Sequence, residues 1–321
     1  MSTSGGTRAV IAALGANIGI AVAKFVGFFI TGSTSMLAES VHSVADSCNQ
    51  ILLLVGGRTA TRAATEEHPF GYGRDRYFYA FVVALVIFSL GSVFALYEGM
   101  HKLQHPKQLE SPLVAVLILV VAAVLEGFSF RTAVHEAGKV RGRSSWAGYI
   151  RRAKAPELPV VLLEDFGALI GLVFALLGVG LATLTDEPRW DAAGSLAIGV
   201  LLGAIAIVLI IETKSLLIGE AASPDAVARI RAALVGQSVD RVIHLRTLHL
   251  GPEELLVAAK IAVPRTISLD KVAAAIDSAE RRVREVEPLA RVIYLEPDLD
   301  RGPQPGTTSG SQPETPQGSP Q

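Results

Sequence analysis

The sequence contains little charge and almost no cysteine. Asp, Glu, Lys and Arg make up 18% of its 321 residues, whereas an ordinary soluble chain carries about a quarter. The single cysteine, Cys48, excludes an internal disulfide and any metal cage built from several thiolates, so cysteine usage gives no information on the redox compartment. A basic stripe with interleaved aromatic residues is also missing, which excludes nucleic acid as a partner. An ordinary soluble enzyme is therefore not expected.

Long apolar runs fill the first two thirds of the chain. Half of all residues are hydrophobic, and a helix needs about 20 mostly apolar residues to cross a bilayer. Six stretches meet or approach that length: 8–30, 35–57, 77–100, 112–134, 158–184 and 191–212. The sequence therefore predicts an α-helical membrane protein with six spans in the lipid bilayer.

Short loops between these spans predict the orientation, because Arg and Lys favour the cytoplasmic side. The loop after the second span holds Arg58, Arg62, Arg74 and Arg76, and the loop after the fourth holds six further cations between 139 and 154. These loops are expected in the cytoplasm together with both termini. An Ala-, Gly-, Val- and Arg-rich chain with a short N-terminus suits a bacterial plasma membrane, and an organelle membrane is the alternative.

The composition changes after the sixth span. Ser223, Pro224 and Asp225 are typical of a helix start, and the pattern that follows is helix (224–236), strand (240–249), strand (254–263), helix (269–286) and strand (290–296). This αββαβ order predicts a small cytoplasmic α+β domain. We therefore divide the chain into a membrane domain, 1–216, a cytoplasmic domain, 217–300, and a tail, 301–321. The tail is almost entirely Gly, Pro, Gln, Ser and Thr and is expected to be disordered.

Ionisable residues stand out inside two spans. Glu39, His42 and Asp46 lie within about 60° of each other on one helical stripe, and the His42/Asp46 pair is one turn apart, which suits one divalent cation. The fifth span carries Glu164 and Asp165 in an otherwise apolar run. Ionisable groups inside a membrane are expensive and are typical of ion or proton pathways.

The alternative is that polar residues only join helices by hydrogen bonds. For Asn17, Lys24, Glu126 and Ser129, taken as single polar residues, we favour that structural role. Lys24 is then expected to neutralise Glu126 or Glu39. For the groups on the second and fifth spans we favour cation binding.

Three phrases carry a family resemblance. They are SMLAESVHSVAD (35–46), HPFGYGR (68–74) and HLRTLHLGP (244–252). With six spans and cytoplasmic ends, they resemble the cation diffusion facilitator family of divalent-metal transporters, and the wording around 39–50 and 160–165 is similar to the zinc transporter 9-like branch. The resemblance covers about residues 8 to 298 and implies a homodimer formed through a metallochaperone-like (ferredoxin-like) C-terminal domain.

The resemblance also implies a tetrahedral metal site midway across the membrane. His42, Asp46 and Asp165 match three of its four ligands, but the fourth position is Val161, which cannot bind a metal. The missing ligand then comes from Glu164, our first choice, from Glu39, from water or from the backbone.

Other family sites are reduced in this chain. In the loop after the second span His68 remains beside Glu66 and Glu67, and we favour no metal there. In the C-terminal domain His244 and Glu296 resemble metal ligands, but Lys260 stands where another ligand is expected. Arg74 matches a basic residue near the membrane surface and is predicted to pair with Glu220.

These observations predict a secondary transporter that exports Zn²⁺ in exchange for protons, with Mn²⁺, Fe²⁺ and Co²⁺ as alternatives and no bound cofactor. The rival hypothesis is a non-transporting membrane scaffold or metal sensor whose site has degenerated at Val161. An intramembrane enzyme is disfavoured, because neither a Ser/His arrangement nor an H-E-x-x-H motif is present.

Overall fold

The computed structural model describes residues 4–31, 34–106 and 112–299, and the side chains at 4–5, 27–28, 30–31, 34–42, 45 and 87–88 fall outside this description. The chain divides into two compact units. The first comprises residues up to 221 together with 248–255, and the second comprises 222–247 together with the residues from 256 onward. The predicted tail, 301–321, lies outside the described residues.

The first unit is helical. Its elements are α1 (Ser4–Thr31), α2 (Thr34–Thr59), α3 (Asp75–Val82), a π-helical segment (Val83–Phe88), α4 (Ser89–Gln104), α5 (Pro112–Arg141), α6 (Trp146–Arg152), α7 (Glu157–Thr185) and α8 (Arg189–Ile218). Among the described residues, five stretches are long and apolar enough to cross a bilayer: 6–26, 75–104, 112–141, 157–185 and 189–218. They coincide with five of the six predicted spans, and α3, the π-helical segment and α4 together form one of them.

The remaining predicted span is α2. Its 26 residues would reach about 39 Å at 1.5 Å per residue, which is enough to cross a bilayer. It falls outside the apolar group because its sequence carries Ser, Glu, His, Asp, Asn and Gln. The structure thus shows a helical membrane-type protein with five apolar helices, and the sixth span stays a prediction.

Small residues allow close packing of α4 against α8. A Cβ atom on Gly99 would lie 2.9 Å from the backbone nitrogen of Leu196, and one on Gly199 would lie 2.9 Å from that of Leu96. The Ser92 hydroxyl donates to the Gly199 carbonyl at 2.7 Å. Such close approach of helices is typical of membrane proteins, where packing replaces the hydrophobic effect between helices.

The second unit is a small α+β structure. It contains α9 (Pro224–Leu234), β1 (Arg241–Gly251), β2 (Glu254–Val263), α10 (Leu269–Val286) and β3 (Val292–Leu299), with strand order β1-β2-β3 and a parallel β2–β3 pair. The tip of the β1–β2 hairpin groups with the first unit. The Ser223 hydroxyl accepts from the Ala226 backbone nitrogen at 3.2 Å, so the predicted cap of α9 is confirmed.

Candidate cation site

Asp165, the more deeply buried residue of the acidic pair on α7, contacts α5. Asp165 is 2% exposed, and its Oδ2 accepts a hydrogen bond from the Ser129 hydroxyl at 2.6 Å. The bond joins the two helices, as expected of a polar residue inside a membrane protein. It also places Ser129, for which a structural role was predicted, directly against a candidate ligand.

The other member of the pair, Glu164, faces α2. Its Oε2 accepts from Gln50 Nε2 at 2.7 Å and its Oε1 accepts from Asn49 Nδ2 at 3.3 Å. Gln50 Oε1 in turn accepts from Asn17 Nδ2 at 3.2 Å. We call Asn17, Gln50, Glu164 and Asn49 the amide network. It connects α1, α2 and α7 through one carboxylate.

Asn49 and Gln50 were not among the predicted site residues. They are 2% and 0% exposed, and Asn49 Oδ1 is a buried acceptor that has no hydrogen-bond partner in the described part of the chain. Both follow Asp46 by three or four residues and therefore share its face of α2. Extending the stripe of Glu39, His42 and Asp46 by one more turn, and counting amides as well as charges, would have found them.

Asp46 is half-buried on that same face. Its carboxylate interacts electrostatically with those of Glu164 and Glu126, and Asp165 acts on the same two groups. Glu126 is 7% exposed and also interacts with the Lys24 ammonium, in line with the neutralising role predicted for that lysine. Acids from α2, α5 and α7 thus lie within electrostatic reach of one another.

The side chains of Glu39 and His42 lie outside the described residues, although the helical backbone of α2 runs through both positions. Among the side chains that the structure does describe, it brings no three His, Cys, Asp or Glu groups close enough to hold one ion. The ligand set of His42, Asp46, Asp165 and Glu164 therefore stays a prediction.

Val161, one turn before Asp165, is fully buried. It belongs to an apolar cluster with residues of several other helices, including Val10, Leu53 and Leu209. This position packs the helical core, and the valine side chain carries no atom that can bind a cation.

The loop around His68, for which metal binding was disfavoured, is open to solvent. The His68 ring lies against Tyr72, with 4.6 Å between ring centroids, and Glu66 and Glu67 are exposed. The described part of this loop contributes to no group of three ligands. Metal binding there stays disfavoured.

In the C-terminal unit Lys260 pairs with Glu296, one of the two residues that resemble metal ligands, and with Asp298. Lys260 Nζ lies 2.9 Å from Glu296 Oε1 and 3.3 Å from Asp298 Oδ2, and these hydrogen bonds raise the pKa of Lys260. A cleft of about 500 Å³ beside it is also lined by His244 and Arg246. An ammonium group thus pairs with the carboxylates that a metal would otherwise use.

The partner found for Glu220 is Lys154, not the predicted Arg74. The Lys154 ammonium pairs directly with Glu220 Oε2, while the Arg74 guanidinium lies beside Gly219, 3.6 Å from where a Cβ would stand. Burial acts to raise the pKa of Glu220, but hydrogen bonds from Lys154 and Ser215 outweigh it and the pKa is lowered. Lys154 was missed because it lies 66 residues away in sequence, where spacing gives no signal.

Apolar membrane helices that bury interacting carboxylates between them are typical of proteins with ion pathways, and that is the class defined by this fold and site. Residues 10–218 match the family model described as the cation efflux transmembrane domain. The chain belongs to the cation efflux family, as its motifs predicted. Membership places it with transporters and not with enzymes.

Similar proteins include the mitochondrial proton-coupled zinc antiporter SLC30A9 of Xenopus laevis, 35% identical over 242 residues, which are 74% of this chain and 43% of the relative. The human SLC30A9 antiporter is 34% identical over 69% of this chain and 39% of its own length. Metal tolerance protein C4 of Arabidopsis thaliana is 31% identical over 79% of this chain and 56% of its own. The predicted likeness to the zinc transporter 9 branch is thus confirmed, and the chain spans about half the length of these relatives or less.

Proposed function

We propose that this protein is a secondary transporter that exports a divalent cation, Zn²⁺ in the first place, from the cytoplasm in exchange for protons. The observation that carries the proposal is the contact of Glu164 with Asn49 and Gln50. It sets the acidic pair of α7 against the face of α2 that holds Asp46. The relatives named as proton-coupled zinc antiporters support the choice of cargo and coupling.

Proton exchange follows from the chemistry of the proposed ligands, His42, Asp46, Asp165 and Glu164, with Glu39 in reserve. Imidazole and carboxylate bind a metal only when deprotonated, so metal and protons compete for the same groups. Mixed nitrogen and oxygen ligands suit Zn²⁺, and a carboxylate-rich set would also accept Mn²⁺, Fe²⁺ or Co²⁺. The cation is the cargo, and the proposal includes no resident cofactor.

The hydrogen bonds around the acids suggest how the unloaded site is held. Ser129 on Asp165 and the two amides on Glu164 donate to carboxylate oxygens, which preserves the position of the ligands while no cation neutralises them. Each carboxylate oxygen keeps a second lone pair for a metal or a proton. Asn49 Oδ1 adds a buried oxygen to the same place.

The proposed assembly is a homodimer of six-span protomers joined through residues 217–300, with both termini in the cytoplasm. A bacterial plasma membrane is the proposed location, and the mitochondrial relatives make an organelle membrane the alternative. Arg74 near Gly219 and the Lys154–Glu220 pair lie where the last span leaves the membrane, and we propose an interlock for them.

The second candidate is a membrane scaffold or metal sensor without transport. It is favoured by the apolar burial of Val161 at the fourth ligand position. It leaves unexplained why buried acids on α2, α5 and α7 should be kept in an apolar environment, at several kcal/mol each on insertion scales.

Metal uptake into proteoliposomes with an acidic lumen tests the proposal. Wild type, Asp46→Asn, Asp165→Asn and Glu164→Gln are compared for Zn²⁺, Mn²⁺, Co²⁺ and Fe²⁺. The control variant is Glu98→Gln, which changes a half-buried carboxylate of α4 that pairs with Lys102. We expect gradient-dependent Zn²⁺ uptake by wild type and Glu98→Gln and its loss in the other three. Uptake retained by Glu164→Gln alone would remove Glu164 as a ligand, and absence of uptake by folded wild-type dimer would favour the scaffold.

A further inference from the structure

Two histidines lie one turn apart at the C-terminal end of α4: His101 is in its last turn, and His105 directly follows Gln104. The His105 backbone nitrogen donates to the His101 carbonyl at 2.9 Å, so the helical path continues through both residues. Their ring centroids are 4.9 Å apart, with 29° between the ring planes, and both side chains are exposed. The Tyr97 ring lies one turn earlier, 6.2 Å from that of His101.

This spacing is the one that a single metal ion requires. Zn²⁺ binds imidazole nitrogen at about 2.0–2.1 Å, and a tetrahedral ion that takes one nitrogen from each of two rings holds the ring centroids about 5 Å apart. Histidines at positions i and i+4 of a helix can bind one zinc ion, as in helical metalloprotease motifs. The 4.9 Å between the two ring centroids therefore matches the separation that one shared ion imposes.

The neighbouring charges do not oppose a cation. Lys102 is the adjacent residue, about 100° around the helix from His101, and its ammonium lies 3.1 Å from Asp191 Oδ2 and 3.9 Å from Glu98 Oε1. Among the residues that the structure describes, two carboxylates thus surround one ammonium beside the pair, and these three groups carry a net negative charge.

We propose that His101 and His105 form a second metal site, a surface chelate for a borderline divalent cation such as Zn²⁺, Co²⁺ or Ni²⁺, completed by water. Imidazole nitrogen selects these ions over Mg²⁺ and Ca²⁺, which prefer oxygen. The role of this second metal site in transport rests on the proposed function. The span that starts at Asp75, next to the Arg-rich loop, ends at Gln104, so the pair lies at the exit face of the exporter, where it accepts the cation after release.

Metal counting on the purified full-length, untagged protein in detergent tests the site. Bound Zn²⁺ per chain is measured by equilibrium dialysis, and Co²⁺ coordination is followed by its visible absorption. The variants are His101→Ala, His105→Ala and the double change. The control is His135→Ala, which removes a lone exposed histidine from α5.

We expect each single variant and the double variant to bind one Zn²⁺ per chain fewer than wild type, because a chelate needs both rings, and His135→Ala to match wild type. Retention of the other bound ions shows that the variants are folded. Equal stoichiometry in wild type and the double variant would overturn the site. Asp46→Asn separates the two proposals, since it should abolish uptake but leave the Co²⁺ signal of the histidine pair unchanged.

Discussion

Gln50 and Asn49 should differ sharply in what they contribute to stability, although both donate to Glu164. Gln50 makes a 2.7 Å bond to that carboxylate and accepts a 3.2 Å bond from Asn17. Interhelical hydrogen bonds in membranes are each worth about 0.6 kcal/mol on average and up to about 1.7 kcal/mol. Replacing Gln50 by Ala should therefore cost about 1–3 kcal/mol.

The balance for Asn49 is different. Its Nδ2 donates over a longer distance, 3.3 Å, and its Oδ1 is buried without a partner in the described structure, which costs about 1–3 kcal/mol on soluble-protein scales. Asn49→Ala removes the weak bond and the unsatisfied oxygen together. The lost bond is worth about 0.6 kcal/mol and the relieved cost is at least as large, so Asn49→Ala should not lower the free energy of unfolding.

Reversible unfolding in mixed detergent micelles measures both variants, with Ser47→Ala as a control. Ser47 is buried on α2 but donates to the Ser43 carbonyl of its own helix, so its loss should leave the interhelical contacts unchanged. Similar destabilisation by Asn49→Ala and Gln50→Ala would refute this account of the amide network. A neutral Gln50→Ala would show that Glu164 is held in some other way.

Three further outcomes are expected. Gly199→Leu should destabilise the helical unit by about 1–3 kcal/mol through overpacking, because its Cβ alone would meet α4. Gly180→Leu, with no atom within 4 Å of its Cβ, should cause a smaller loss of stability in the same thermal unfolding assay. Lys260→His should add one bound Zn²⁺ per chain, since it exchanges an ammonium for a ligand beside two carboxylates, and an unchanged metal count would contradict this. The pKa of Glu220 is lowered, so the ionised carboxylate stabilises the fold above the ordinary carboxyl pKa of about 4.3. This contribution is lost as the pH falls through the lowered value. Lys154→Met should therefore lower Tm at pH 7 and flatten the fall of Tm between pH 5 and 3.

The helices could be predicted closely because apolar length is a local property of the chain. The third span was predicted at 77–100, and the apolar helical stretch is 75–104. Its ends extend further because a helix continues into water, where hydropathy gives no signal. The last strand was predicted to end at 296 but continues to Leu299, since β3 is an edge strand and tolerates Pro297 there.

The acids of the site could be predicted because charge inside a membrane helix stands out against its surroundings. The partners of those acids could not. Which side chain of α2 meets Glu164 depends on how two helices more than 100 residues apart in sequence are rotated about their axes, and that rotation results from packing along their whole length. Asn49 and Gln50 were therefore missed, and Lys154 was missed in the same way.

The ion pairs that Lys260 makes with Glu296 and Asp298 in the C-terminal unit have a consequence for a cell that is short of metal. Lys260 is covalently part of the chain, so a chelator cannot extract the positive charge that pairs with Glu296 and Asp298. A subunit that depends on a bound ion for this pairing loosens when the ion is scarce. This one keeps the same local charge in starved and in metal-replete cells, so we expect these ion pairs to hold whatever the supply of the ion that the membrane helices are proposed to move.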